Sequence, residues 1–100
     1  MWMVVFFDLP VVEKKDRKNY TKFRNFLLDK GFTMAQFSVY YKCLASKDIV
    51  NRTSRDIENN LPPYGSVQML TITDKQYENI ISFSGRRQKN EQKNEQYLLF

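Results

Sequence analysis

A continuous apolar run opens the sequence and limits the folds that this chain can adopt. Residues 2–7 read WMVVFF, and the run ends on the carboxylate of Asp8, which Leu9 and Pro10 follow. An unbroken apolar stretch of this length is typical of a central strand that is covered on both faces. It is too short to cross a membrane and does not resemble a secretory signal, because no basic leader precedes it. We therefore expect a buried strand that ends on an acid, and no membrane partner.

The rest of the sequence predicts helices and strands in the order β-α-β-(β)-α-β-β, in which the strand in parentheses is left open. The spacing of apolar residues indicates a first helix from Asp16, its N-cap, to Lys30, followed by Gly31 as the closing residue. A second helix begins after Ser46 and ends at the double proline of residues 62–63. Further strands are predicted at residues 32–43, 66–73 and 80–84.

The predicted strand region at residues 32–43 allows two interpretations. It is long for one strand, yet it contains no Gly, Pro or Asn that would make a tight turn. One bent strand and two short strands with a bulge therefore both remain open. In either case Phe37, Val39 and Tyr41 are expected to share one face of the sheet, because successive side chains of a strand alternate.

The chain is expected to consist of one domain and a tail. One hundred residues make a single domain, which we place at residues 1–85. Residues 86–100 form a basic tail in which the low-complexity repeat KNEQKNEQ reads as a spacer. The tail ends on four apolar residues that we expect to dock as an edge strand or in a partner's groove, namely Tyr97, Leu98, Leu99 and Phe100. A frayed terminus without a role is the alternative.

Positive charge is concentrated in two segments of the chain, although the net charge is only +5. Residues 13–30 hold seven Lys and Arg against three acids, and residues 86–100 hold four against two. An uneven basic footprint indicates a polyanionic partner, most often nucleic acid; the alternative is a solvated helix face with a soluble tail. The predicted phosphate contacts are Lys14, Lys15, Arg17, Lys18, Arg86 and Arg87.

The sequence excludes several kinds of chemistry and leaves one carboxylate as a candidate. It contains no His, and its single cysteine, Cys43, allows neither an internal disulfide nor a multi-Cys metal site and fits a reducing, cytoplasmic location. A strand end would hold Asp8 rigidly as a metal ligand, whereas the alternative is an Asp that caps the turn before Leu-Pro. One carboxylate makes a poor Mg²⁺ site, which a symmetric dimer that joins two copies of Asp8 would improve.

Several stretches together resemble the CRISPR-associated protein 2 family. These are the strand VVFFDLP, the basic first helix with FLLDKGF, the block MAQFSVYYK and the later NLPPYGSVQMLTIT. The resemblance covers residues 2 to about 84. It implies an α+β fold of the ferredoxin-like βαββαβ type, with an antiparallel sheet, two helices on one face and an extra C-terminal strand. It also implies a homodimer that forms through the sheets.

The resemblance also implies a function in CRISPR adaptation. Members associate with a larger adaptation integrase, and together they insert captured foreign DNA as new spacers. Some members have been assigned metal-dependent endonuclease activity on RNA or DNA, which would make Asp8 both the catalytic residue and the ligand of a Mg²⁺ ion shared at the dimer interface. Others act only as scaffolds. Two hypotheses therefore stay open: a Mg²⁺-dependent phosphodiesterase, in which the metal activates water, and a non-catalytic bridge that clamps double-stranded DNA by its backbone.

Overall fold

Two long helices pack on one face of a four-stranded antiparallel sheet in the computed structural model, which describes residues 1–85. In chain order, the elements are β1 (Trp2–Asp8), α1 (Lys14–Asp29), β2 (Thr33–Gln36), β3 (Val39–Cys43), α2 (Lys47–Glu58), β4 (Ser66–Ile72) and α3 (Asp74–Glu78). The strands lie in the order β2-β3-β1-β4, and every neighbouring pair is antiparallel. This is the βαββαβ arrangement of ferredoxin-like folds, so the expected α+β class is confirmed.

The core lies between the central strand and the two long helices. It includes alternate residues of β1 and one face of each helix: Met3, Val5, Phe7, Phe23, Leu27 and Ile57. Each such side chain contributes about 1.5–3 kcal/mol when it is fully buried. The expectation that β1 is covered on both faces is wrong for a single copy, because Trp2, Val4 and Phe6 point away from the helices and are only half-buried.

The two ends of α1 show one wrong and one confirmed prediction. The N-cap is Glu13 rather than Asp16, and the Asp16 carboxylate instead accepts a hydrogen bond from the backbone N–H of Glu13 at 3.2 Å. An acid three residues inside a helix can reach back in this way and still satisfy a free N–H group. Gly31 has a φ of 93°, and the N–H of Phe32 donates to the carbonyl oxygen of Leu27 at 3.0 Å. This Schellman closure is the predicted role of the glycine.

The second helix begins as predicted and ends earlier. The Ser46 hydroxyl accepts a hydrogen bond from the backbone N–H of Ile49, and α2 ends at Glu58 rather than at the double proline. The side-chain amide of Asn60 donates to the carbonyl oxygen of Asp56 at 2.8 Å and so occupies a carbonyl of the last turn. Proline disfavours helical backbone at the residue that precedes it. The helix therefore has to end before the chain reaches the prolines.

Residues 32–43 form two short strands, which resolves the alternatives left open by the sequence. Phe37 and Ser38 make a two-residue turn between β2 and β3, and the strand register shifts between Met34 and Gln36. Ser38 adopts a φ of 64°, a left-handed conformation that glycine normally supplies. The turn has no glycine to mark it in the sequence, because a serine takes that conformation here.

The predicted extra strand at residues 80–84 is wrong in the described chain. The expected turn before it is instead the short helix α3, in which Thr73 and Gln76 cap each other through reciprocal hydrogen bonds. The ring of Tyr77 stacks on Trp2 with centroids 3.8 Å apart, which directs the chain after α3 over the sheet face opposite the long helices. Residues 80–84 therefore pair with no strand in this copy, and Phe83 is 92% exposed.

Within residues 1–85, no helix has the length and apolar character that crossing a membrane requires. The predicted boundary of the domain at residue 85 stays a prediction. The predicted tail lies outside the described residues, together with its phosphate contacts Arg86 and Arg87 and its apolar end at residues 97–100.

Candidate functional site

Asp8 is the last residue of the central strand and its side chain is exposed. Its backbone lies opposite Ser66, the first residue of β4. The preceding Gly65 has a φ of 99°, and a Cβ atom at this position would lie 2.7 Å from the carbonyl oxygen of Asp8. Only glycine allows β4 to begin so close to the strand end, so the backbone on this side of Asp8 is tightly fixed.

The loop that follows Asp8 is tied to the first helix. Leu9 turns into the core and is 7% exposed. Arg17, in the first turns of α1, donates hydrogen bonds from Nη1 to the carbonyl oxygens of Val11 and Val12, at 3.1 and 2.8 Å. The connection from Asp8 into α1 is thus held at its buried start by packing and at its exposed end by a guanidinium.

On its other side, the strand end of Asp8 meets the β2–β3 turn. The backbone N–H of Phe7 donates to the carbonyl oxygen of Ser38 at 3.0 Å, and the hydroxyls of Ser38 and Tyr20 are hydrogen-bonded at 3.0 Å. Nearby, burial raises the pKa of Tyr40, and the guanidinium of Arg24 partly offsets this effect. This phenol stays protonated at neutral pH, so it cannot serve as the base that the missing histidines would otherwise supply.

An open groove of about 690 Å³ runs along α1 and is lined mainly by polar and basic side chains. It brings together three of the predicted phosphate contacts, Lys14, Arg17 and Lys18, and adds Lys22. The charge pattern contained the signal for Lys22, which follows Lys18 by four residues and so shares its helix face. Lys15 does not line the groove, and its Nζ lies 3.8 Å from a carboxylate oxygen of Glu13.

A single copy offers little to hold a divalent cation. Within the described residues, no three Cys, Asp or Glu side chains lie close enough to share a metal ion. Mg²⁺ binds six oxygens and usually takes one or two from carboxylates. Asp8 fits one such position, so the site suits Mg²⁺ only in part unless a second copy supplies another carboxylate.

The sheet face opposite the long helices is apolar and incompletely covered. It carries a cavity of about 320 Å³ whose lining includes Val4, Val39, Tyr41, Tyr77 and Ile80. Tyr41 and Tyr77 stack with centroids 5.5 Å apart. We call this surface the open face; because its apolar side chains are partly accessible, it is the surface that a partner would cover.

The family described as "CRISPR associated protein Cas2" has a sequence model that matches residues 1–80. The chain belongs to this family. A relative from Paracidovorax avenae named "CRISPR-associated endoribonuclease Cas2" is 52% identical over 101 residues, covering 100% of this chain and 94% of the relative. A relative of the same name from Flavobacterium psychrophilum is 40% identical over 98 residues, covering 98% of this chain and 85% of the relative.

A solved structure of low sequence identity supports the fold. The crystal structure of Streptococcus pyogenes Cas2 at pH 6.5 superimposes with a TM-score of 0.63 at 14% identity, covering 84% of this chain and 100% of that chain. At this identity the likeness concerns the fold alone. The family recognised from the strand-end acid and the MAQFSVYYK block is therefore confirmed, together with its fold.

Proposed function

We propose that this protein is a CRISPR adaptation protein that binds nucleic acid as a homodimer and hydrolyses phosphodiester bonds at Asp8. The observation that carries the proposal is the exposed Asp8 carboxylate, fixed at the end of a central strand by the close approach of Gly65. Membership in a family whose relatives are named endoribonucleases supports the same function. The activity would make the protein a nuclease of the hydrolase class, acting in the cytoplasm.

Asp8 is the residue that would hold Mg²⁺, and the ion when bound supplies Lewis-acid chemistry at the phosphate. The chain's own contribution is to present the carboxylate in a fixed position. The groove along α1 contributes Lys14, Lys18 and Lys22, which would hold the nucleic-acid backbone by contacts that do not depend on sequence.

The homodimer is proposed because the fold leaves one face of the sheet unfinished. Val4 and Phe6 of the central strand remain half-buried on the open face, and the single Asp8 offers too few oxygens for a magnesium site. A second copy packed on the open face would cover the apolar surface and could bring a second Asp8 to the same ion. We further propose that the dimer joins copies of the larger adaptation integrase and holds the foreign DNA between them. The apolar end at residues 97–100 would dock on the integrase or on the other subunit.

The test of the nuclease is an assay of purified wild type and Asp8→Asn on RNA and DNA, with and without Mg²⁺. Asn keeps the size of the side chain but removes its charge, so cleavage should be lost while binding changes little. Glu13→Gln is a matched control, because it removes an exposed carboxylate from the α1 N-terminus and should leave cleavage intact. Cleavage that persists in Asp8→Asn would exclude Asp8 as the catalytic residue.

A non-catalytic scaffold is the second candidate, and the groove along α1 favours it. Within the described chain, Lys14, Lys18 and Lys22 take part in no ion pair, so their charges are available to phosphates of any sequence. Spacer acquisition that continues in Asp8→Asn after cleavage is lost would favour the scaffold.

Deleting residues 97–100 tests the binding of the integrase separately. Loss of integrase binding with an intact dimer would identify the tail as the docking element.

A further inference from the structure

The fold divides the seven Lys and Arg side chains of residues 13–30 into two groups. Three of them have partners away from the groove along α1: Lys15 is close to Glu13, Arg24 to Tyr40 and Lys30 to Asp56. The other four line the groove, and they are Lys14, Arg17, Lys18 and Lys22. The positive charge of the groove therefore lies along the first part of α1 and stops at Lys22.

The far end of the groove carries an acid. Asp29 is the last residue of α1, it is exposed, and it lines the groove. Within residues 1–85 its carboxylate takes part in no ion pair. A carboxylate is also unfavourable at the end of a helix, because the helix dipole is negative there. Neither an ion pair nor the stability of α1 therefore accounts for an acid at this position.

The basic side chains of the groove repeat at an interval that suits a nucleic-acid backbone. Lys14, Lys18 and Lys22 follow one another by four residues, which is about 6 Å along the helix axis. This interval is comparable to the distance between adjacent phosphates of one strand. Between Lys22 and Asp29 the groove is lined by the uncharged Asn25 and Phe26. A backbone aligned on the lysines would therefore meet a neutral stretch and then a negative charge.

We propose that Asp29 ends the run of phosphate contacts along α1 and so sets how many consecutive phosphates one copy of the protein binds. The inference rests on the proposed function, because it takes the groove to hold a nucleic-acid backbone. The distance from Lys14 to Lys22 is about 12 Å of helix, which accommodates about three phosphates at the spacing of the lysines. Exposed like charges repel one another within a Debye length, about 8 Å at physiological salt. The backbone therefore leaves α1 before it reaches Asp29.

An acidic protein segment is the other partner whose charge fits the groove. The centre of a protein–protein interface is normally apolar and depleted of charged residues. The groove offers one aromatic side chain, Phe26, which is half-buried and has the Nζ of Lys30 at 5.8 Å from its ring centroid. Its other lining side chains are charged or polar. This composition and the regular spacing of the lysines fit a partner with evenly spaced negative charges, which is a nucleic-acid backbone.

The test compares Asp29→Lys with Glu58→Lys, which makes the same change of charge outside the groove. Glu58 is the exposed last residue of α2 and, within the described chain, is also in no ion pair. Both variants place a cation at a helix end that favours it, so both should fold, which circular dichroism checks. Each protein is titrated with thymidine oligonucleotides of two to ten nucleotides at several salt concentrations from 50 to 200 mM. EDTA is present so that no metal-dependent cleavage consumes the probe.

We expect the affinity of the parent to level off, apart from the statistical gain of extra registers, once the oligonucleotide supplies about three phosphates. Asp29→Lys should move this point to an oligonucleotide that is at least one nucleotide longer. It should also steepen the salt dependence by about 0.7, the slope of one phosphate contact on a single strand. Between 50 and 200 mM salt its affinity should therefore fall about two- to threefold more than that of the parent. Glu58→Lys should change neither the length nor the slope.

Equal effects of Asp29→Lys and Glu58→Lys, or no effect of Asp29→Lys, would overturn the inference. A parent that binds a polyglutamate peptide as tightly as the oligonucleotides would also overturn it, in favour of an acidic protein partner. Lys18→Ala separates the inference from the proposed function. If Lys18→Ala lowers the salt slope while the two lysine variants behave alike, this inference alone fails. If the parent shows no salt-dependent binding of any oligonucleotide, the groove holds no backbone, and the inference and the proposed nucleic-acid binding both fail.

Discussion

The guanidinium of Arg17 donates a hydrogen bond to the carbonyl oxygen of Val12, 2.8 Å away, and the same nitrogen also bonds to Val11. An arginine in the basic groove thus has a second partner, the loop that leads from Asp8 into α1. The remaining guanidinium nitrogens can still contact a phosphate. Arg17 therefore joins the groove along α1 to the backbone that follows Asp8.

The first prediction separates the two roles of Arg17. Arg17→Ala should weaken nucleic-acid binding and lower the slope of its salt dependence by about one unit for each phosphate that the protein no longer binds. It should also lower the free energy of unfolding by about 1 kcal/mol, because the mutant cannot form the two exposed hydrogen bonds to the loop. Lys18→Ala is the matched control in the same groove.

Affinity measured from 50 to 200 mM salt and urea denaturation check this prediction. Lys18→Ala should reproduce the change in salt dependence without the decrease in stability. If Arg17→Ala changes neither affinity nor salt dependence, the residue serves the loop alone and contacts no phosphate.

The second prediction concerns the glycine beside Asp8. Gly65→Ala should lower the free energy of unfolding by about 2 kcal/mol or more, because alanine is strained at a φ of 99° and its Cβ would meet the Asp8 backbone. Gly85→Ala is the control, since a Cβ there meets nothing within 4 Å, and it should change stability by less than about 0.5 kcal/mol. Urea denaturation of both variants measures the difference, and equal stability would show that the strand ends can separate without cost.

Local signals in the sequence predicted the parts of the fold that depend on nearby residues. The apolar run to Asp8 specifies a strand through its side chains, and Gly31 specifies the end of α1 through a backbone conformation that glycine adopts easily. Thr73 and Gln76 have the spacing of a capping box, which is a local signal for the short helix α3. The apolar residues within the segment 80–84 predicted a strand that the described chain does not form. Whether such a segment pairs depends on a free edge in space, which sequence spacing does not contain.

The surroundings of Asp8 were harder to predict for a similar reason. The carboxylate itself follows from the end of the apolar run, whereas the β2–β3 turn meets the end of β1 through a pairing between strands that are distant in sequence. This turn uses Ser38 at positive φ, where a glycine would have been the visible sign. Contacts that depend on register and on uncommon backbone conformations appear only once the strands are paired.

The third prediction tests the hydrogen bond that holds this turn. Ser38→Ala keeps the left-handed strain and removes the bond to Tyr20, so it should lower the free energy of unfolding by about 1 kcal/mol. Ser38→Gly also removes the bond but relieves the strain, so it should be less destabilising than alanine. Combining Ser38→Ala with Tyr20→Phe should cost less than the sum of the two single changes, because both remove the same bond. Additive costs in urea denaturation would contradict the pairing.

The fourth prediction concerns the pH dependence of stability that comes from Tyr77. Burial, followed by the hydrogen bond with Tyr41, raises the pKa of Tyr77 from 10.0 to about 12. A pKa that folding raises contributes stability that is fully present below pH 10 and is lost as the pH rises towards 12. Wild type should therefore lose more stability than Tyr77→Phe between pH 9 and pH 12, as measured by urea denaturation at each pH. Parallel curves for the two proteins would show that the phenol titrates as if it were free.

The last prediction identifies the face through which two copies associate, using adjacent residues of β4. Leu70 lies opposite Val4 and so belongs to the open face, whereas Met69 lies opposite the core residue Val5 and belongs to the helix side. The two side chains are similarly exposed, at 53% for Leu70 and 41% for Met69.

Leu70→Glu places a charge in the proposed interface and should raise the dimer dissociation constant at least tenfold, because burying a leucine contributes about 1.5–3 kcal/mol. Met69→Glu adds the same charge on the other face and should leave the constant within about twofold if the interface avoids that face. Sedimentation equilibrium measures both constants, and circular dichroism confirms that each variant is folded. Equal effects of the two substitutions, or a wild type that remains a 12.0 kDa monomer at micromolar concentration, would exclude association through the open face.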